Sequence, residues 1–178
     1  GDLTKVLQSC TDNLTDSAAT QCYNGAYMEV FNNEILLKEE SYIVDKDPFS
    51  TCEEVTHNKG DCYLYAPTYL TQNSGYSHME ALATCKQVTK KYRNTCIKGV
   101  SSEATKRNLS DLSGVFSLCD TLSIIDENDA CVSGIAGMLV FQTASIDSAL
   151  ASCAIAPENY RSVCTQTAEN MRPMLEYR

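Results

Sequence analysis

The ten cysteines are the residues best equipped for chemistry, and their spacing narrows what that chemistry is. They fall into five consecutive couples: Cys10 with Cys22, Cys52 with Cys62, Cys85 with Cys96, Cys119 with Cys131, and Cys153 with Cys164. Thiolates that hold zinc or an iron–sulfur cluster usually come as CxxC knuckles, and redox-active pairs share that spacing; no CxxC occurs here. Couples ten to twelve residues apart point instead to five structural disulfides, with no metal and no cofactor. So many cysteines place the chain in an oxidising compartment, extracellular or periplasmic.

Nucleophile-and-base catalysis needs a histidine close to a Ser or Cys, and only His57 and His78 exist. One falls in an expected turn and the other in the first turn of an expected helix, so both read as solvated surface residues. No HExxH, GxSxG, calcium-loop or phosphate-loop motif is present. The residue types therefore argue against an enzyme.

The elements that carry the cysteines repeat. From couple to couple the register advances by about 34 residues, with one early insertion. Three residues before each first cysteine stand Leu7, Phe49, Leu82, Phe116 and Leu150, and four before stand Val6, Pro48, Ala81, Val115 and Ala149. With the cysteine itself these positions share one face of an α-helix. Three residues after each second cysteine stand Gly25, Tyr65, Gly99, Gly134 and Thr167, a mostly small position that lets a neighbouring helix approach. Both cysteines of a couple could lie along one helix, as in twin-cysteine motifs. The turn-forming segments between them, such as His57-Asn58-Lys59-Gly60-Asp61 and Ala156-Pro157-Glu158, favour a hairpin with one cysteine on each helix.

Helix starts fit this placement. Ser77 with Glu80 forms a capping box, Asp47-Pro48 supplies an N-cap and a first-turn proline, and Ser145 and Asp16 precede further helical runs. Pro157 opens the last long helix, which should stop near Pro173. Pro67 sits inside an expected helix, where it removes the donor to the carbonyl of Tyr63.

The predicted fold is all-α: a solenoid of about five disulfide-stapled antiparallel helix hairpins in a right-handed stack. It forms one domain with repeats at 1–31, 47–73, 77–107, 111–142 and 145–172 and an inserted loop at 32–46. In period and cysteine logic the chain resembles the disulfide-stapled helical-repeat proteins of the Sel1-like class. The segment Cys22-Tyr23-Asn24-Gly25-Ala26-Tyr27-Met28-Glu29, followed by Asp47-Pro48-Phe49, is similar to a group of uncharacterised secreted bacterial proteins with CYxGxxMEN-like segments. That resemblance implies an exported helical-repeat fold with no established reaction, and a histidine-glycine motif lying before Gly1.

Charge and tyrosines supply the binding candidates. A formal net charge of -9 argues against nucleic-acid binding, which rests on cationic neutralisation of phosphate. Residues 1–60 hold 11 Asp or Glu against 4 Lys or Arg, whereas Lys86, Lys90, Lys91, Arg93, Lys98, Lys106 and Arg107 face a single Glu103. Such an acidic front and basic middle can steer a charged partner or support head-to-tail self-assembly. Tyr63, Tyr65, Tyr69 and Tyr76 crowd one repeat around Pro67, an interface-like composition. No run of apolar residues is long enough to span a membrane, and nothing at the start reads as a signal, as expected of a mature or trimmed chain. Asn13-Leu14-Thr15 and Asn108-Leu109-Ser110 match the N-glycan acceptor pattern, which has no meaning in a bacterial source.

The expectation is a non-catalytic exported interaction or scaffold module that binds a protein, peptide or cell-wall partner through a solenoid face. Tyr63, Tyr65, Tyr69, Tyr76, Lys86, Lys90, Lys91 and Arg93 are the candidate contacts. The alternative is a small-molecule-binding protein or enzyme with a Tyr-lined groove near Pro67.

Overall fold

The computed structural model describes residues 3–32, 43 and 47–176, and these are helical, with no strand among them. The insertion predicted at 32–46 falls almost wholly outside the described residues. The helices are α1 (Leu3–Asn13), α2 (Asp16–Phe31), α3 (Pro48–Glu54), α4 (Lys59–Asn73), α5 (His78–Cys85), α6 (Lys90–Arg107), α7 (Leu112–Ser117), α8 (Ile125–Thr143), α9 (Ile146–Cys153), α10 (Glu158–Asn170) and α11 (Arg172–Glu176). A 3-10 turn, Cys119–Thr121, follows α7. Among the described residues no helix is long and apolar enough to cross a membrane.

The five neighbouring couples are at disulfide distance, with Cα atoms 5.6–5.7 Å apart. Each joins two separate elements across a short bend: Cys10 on α1 to Cys22 on α2, Cys52 on α3 to Cys62 on α4, and Cys85 at the end of α5 to Cys96 on α6. Cys119, in the 3-10 turn, joins Cys131 on α8, and Cys153 at the end of α9 joins Cys164 on α10. Within each couple the bonded cysteines therefore lie on different elements, the hairpin arrangement.

Helix starts follow side-chain chemistry. Asp47 accepts a hydrogen bond from the Phe49 amide (2.9 Å), with Pro48 in the first turn. Ser77 and Glu80 form a complete reciprocal box, and Ser145 accepts from the Ser148 amide. Asp16 is the first residue of α2 and not its cap, a place held by Thr15 without a side-chain bond. Its charge there complements the helix dipole. Pro157 caps α10, and the chain makes its last turns as α11, which contains Pro173.

By its contacts the chain divides into two compact units, Gly1–Cys96 and Ile97–Arg178. In the first, α1 packs on α2, α3 on α4, and α2 on α4. Tyr27 on α2 is fully buried and donates to the His57 carbonyl at 2.6 Å, and Tyr23 stacks on the His57 ring. His57 is thus half-buried under α2, not the solvated turn residue expected; His78 is also half-buried. In the second unit α8 packs on both α9 and α10 and is buried over most of its circumference. Its Gly134 lies so close to α6 that an added Cβ would meet the Lys98 carbonyl oxygen at 2.5 Å, and Ser102 donates to the Gly134 carbonyl at 3.0 Å. One repeat on, Thr167 of α10 bonds Ser133 of α8. The predicted close approach at the small position holds at Gly134 but not at Gly25, which has nothing within 4 Å.

Candidate functional site

The first unit carries a cleft of about 440 Å³ lined by Asp47, Phe49, Ser50, Glu53, Glu54, Tyr63, Gln87, Val88 and Thr89. One wall is α3. Capping by Asp47 and the first-turn Pro48 start this helix, and helical spacing then sets Phe49, Glu53 and Glu54 on a common side. The Asp47 carboxylate also accepts from the Ser50 hydroxyl at 2.8 Å, fixing its orientation at the rim. Glu53 receives Lys59 Nζ at 2.8 Å and the Tyr63 hydroxyl, while Lys59 also donates to the Glu53 carbonyl at 2.9 Å. The Lys59 bond, followed by that from Tyr63, holds the Glu53 carboxyl below the usual carboxylate range.

The floor is aromatic. Tyr63 is 1% exposed and stacks between Phe49, at 6.0 Å, and Tyr92 of α6, at 5.0 Å. Lys91 Nζ lies 5.0 Å from the Tyr92 ring centre, closing a row of three rings with a cation. Burial, and then the neighbouring Glu53, push the Tyr63 hydroxyl far above its ordinary value, so it stays protonated and donating. The opposite wall is the segment Gln87–Thr89 after α5. It is held by the Val88 amide bonded to the Cys85 carbonyl (3.1 Å) and by the Arg93 guanidinium reaching back to the Lys86 carbonyl (3.0 Å).

Comparison with known proteins finds no matching family model, no similar curated protein and no similar solved structure. The site therefore has to be read from its own chemistry.

The tyrosines singled out in the sequence do not converge. Only Tyr63 lines the cleft. Tyr65 and Tyr69 stand about 200° and 240° further round α4, where both are half-buried, and Tyr76 is exposed beyond the helix end. Burial, with a contribution from Asp61, raises the Tyr65 hydroxyl too. Pro67 itself is buried within α4. Lys86, Lys90 and Lys91 are exposed beside the Gln87–Thr89 wall in sequence, whereas Arg93 is half-buried and turned to backbone carbonyls. Asp47, Phe49, Glu53 and Glu54 were not recognised as site residues. The available signal was the Glu53-Glu54 pair immediately after Cys52, one helical turn from Phe49. Among the described residues no three His, Cys, Asp or Glu groups are placed to share a metal ion.

Proposed function

We propose that the protein is a non-catalytic, exported interaction module whose cleft captures a Lys- or Arg-bearing segment of a protein or peptide partner. The observation that carries the reading is the cleft's composition: three carboxylate residues at its rim, Asp47, Glu53 and Glu54, beside the rings of Phe49 and Tyr63. Carboxylates attract a cationic head, and the half-buried ring of Phe49 accepts its apolar stem, while Tyr63, covered on both faces by Phe49 and Tyr92, supplies the floor beneath it. The acidic balance of residues 1–60 adds long-range steering toward such a partner. Five disulfides suit the extracellular space or a periplasm. We read the 34-residue recurrence of the hairpins as successive layers of a right-handed helical-repeat stack of the Sel1-like kind, a design in which surface and not chemistry is the working part.

The test is binding of short fluorescent peptides rich in Lys and Arg, against Ala- and Glu-substituted counterparts, to the oxidised protein and to Glu54→Lys. Cationic peptides are expected to bind preferentially, to weaken several-fold in Glu54→Lys, and to lose affinity with added salt. Equal binding of cationic and acidic peptides, or a Glu54→Lys protein indistinguishable from wild type, overturns the reading. Sedimentation of the protein alone reads whether a second copy, through its own basic segment, is the partner.

A further inference from the structure

We infer that the cationic partner of the cleft is a second copy of this chain, docked about a two-fold axis so that the acidic lip of each copy meets the basic lip of the other. This identity rests on the cleft reading proposed above and names its partner. The two lips carry opposite charge and flank one opening. Glu53 and Glu54 end α3 on one side, and Lys90 and Lys91 begin α6 directly after the Gln87–Thr89 wall on the other. All four are exposed. The row of rings fixes their order: Phe49 of α3 stacks on Tyr63, Tyr63 stacks on Tyr92, and Lys91 stands at the far end. A surface with one acidic and one basic end becomes its own complement when turned through half a circle, which is what an isologous pair requires.

Each lip also carries the charge least suited to its own helix. The N-terminal end of a helix is partly positive and favours carboxylates. Helices α2, α4, α5, α8, α9 and α10 each place an acidic residue in their first turn. The first turn of α6 holds Lys90 and Lys91 instead, with no acidic residue. The C-terminal end is partly negative and favours cations, yet α3 closes on Glu53 and Glu54 with no basic residue in its last turn. Lys59 offsets Glu53, whereas Glu54, Lys90 and Lys91 are in no ion pair among the described residues. Two-fold docking sets the end of α3, with Glu54, against the start of α6, with its two lysines, and does so twice. It relieves both mismatches together, and the stem of an incoming lysine has the half-buried ring of Phe49 to lie on. Exposed ion pairs are individually weak and screened by salt, so the pair forms at high protein concentration and low ionic strength.

Sedimentation equilibrium of the oxidised full chain at low ionic strength, from about 10 µM to about 1 mM, reads the association. Wild type, Glu54→Lys, Lys90→Glu/Lys91→Glu and an equimolar mixture of the two variants are compared. Wild type is expected to dimerise and to dissociate as salt is added. Each variant is expected to associate about tenfold more weakly, because a substitution strikes both symmetry-related contacts. In the mixture the new cation of one variant faces the new carboxylates of the other, and association returns to the wild-type level or above. Both variants put the favoured charge at their helix ends, so their melting temperatures hold at or above wild type and lost association is not lost folding. Lys90→Glu alone, which leaves Lys91 beside Tyr92, moves in the same direction. Monomer at every concentration, a dimer indifferent to salt or to both variants, or a mixture no better than its components overturns the inference. The Lys- and Arg-rich peptides separate it from the cleft reading. A monomeric wild type that still prefers them defeats only the second copy as partner, whereas the loss of that preference defeats the cleft reading as well. Where the dimer forms, those peptides are expected to dissociate it; a dimer that persists with peptide bound uses another surface and also overturns the inference.

Discussion

Substitution of Gly134 by Ala tests how closely α6 and α8 approach, and Gly25, at the same repeat position, provides the control. The methyl group at residue 134 would lie 2.1 Å from Ser101 Oγ, 2.5 Å from the Lys98 carbonyl oxygen and 2.9 Å from Lys98 Cα. Ser101 can turn its hydroxyl aside, but the other two atoms are backbone of α6 and yield only if the helices separate. Ordinary contacts between heavy atoms lie near ~3.5 Å, so the helix pair must open by about 1 Å. Overpacking of this kind costs ~1–3 kcal/mol, toward the upper end where backbone obstructs, and the helix-propensity gain of Ala over Gly returns about 1 kcal/mol. The net expectation is a loss of about 2 kcal/mol, or roughly 4–8 °C in Tm for a chain of this size. Gly25→Ala has no neighbour within 4 Å and lies within α2, so it gains up to about 1 kcal/mol from propensity alone. Urea and thermal unfolding of both variants with disulfides intact measure the two signs. A Gly134→Ala protein as stable as wild type, or a loss as large in Gly25→Ala, would refute the close-approach argument.

Three further outcomes follow from the geometry. Replacing Cys153 and Cys164 together by Ala opens a bridge across an 11-residue separation and is expected to remove about 2–3 kcal/mol, read as a lower urea midpoint; an unchanged midpoint contradicts it. Tyr63→Phe removes one of the two hydrogen bonds that keep the Glu53 carboxyl low. A depressed folded pKa gives stability that is present above the unfolded value and lost as pH falls through the folded one. In Tyr63→Phe the Glu53 titration followed by NMR should therefore move up and the acid-sensitive part of stability should shrink; an unmoved titration sinks the assignment. Ser77→Ala breaks the capping box of α5 and should cost ~1 kcal/mol, with faster amide exchange in residues 78–85 as the local signature.

The features legible in the sequence were those decided within one hairpin. Cysteine spacing and intervening turn residues separated the bonded partners onto two elements, and Ser77, Asp47 and Ser145 marked helix starts because a cap is satisfied by atoms two or three residues away. Even here the boundary shifted where local chemistry was ambiguous. Thr15 displaced Asp16 from the cap of α2, and Cys119 fell in a 3-10 turn and not in α7. Features set by the packing of one hairpin on another were not legible. Leu7, Phe49 and Phe116 hold equivalent repeat positions, yet Leu7 and Phe116 are fully buried while Phe49 lines an open cleft. His57 was read as solvated because nothing in its turn reveals that Tyr23, 34 residues earlier, lies against it. The tyrosine crowd spreads round α4 for a simpler reason, since residues two apart on a helix point to opposite sides.

The same distinction bears on how the cleft can work. Its α3 wall is stapled to α4 by Cys52–Cys62, and the Gln87–Thr89 wall leaves α5 just after Cys85, which is stapled to α6. Each bridge stiffens its own hairpin, but none crosses the cleft. What connects the two walls is the non-covalent row of Phe49, Tyr63 and Tyr92, with the Tyr63 hydroxyl anchored on Glu53. On the proposed reading, a partner would meet two disulfide-stapled lips whose separation depends on ring stacking and on one charged hydrogen bond. Rigid lips reduce the ordering cost of binding, which favours recognition by a small set of well-placed groups over broad surface contact. Glu53 helps hold the floor in place, because its carboxylate is already engaged by Lys59 and Tyr63. Within the cleft, Glu54 is thus the carboxylate best able to read a partner's charge, while Glu53, engaged by Lys59 and Tyr63, and Asp47, engaged by the Phe49 amide and the Ser50 hydroxyl, serve chiefly to set the shape it acts on.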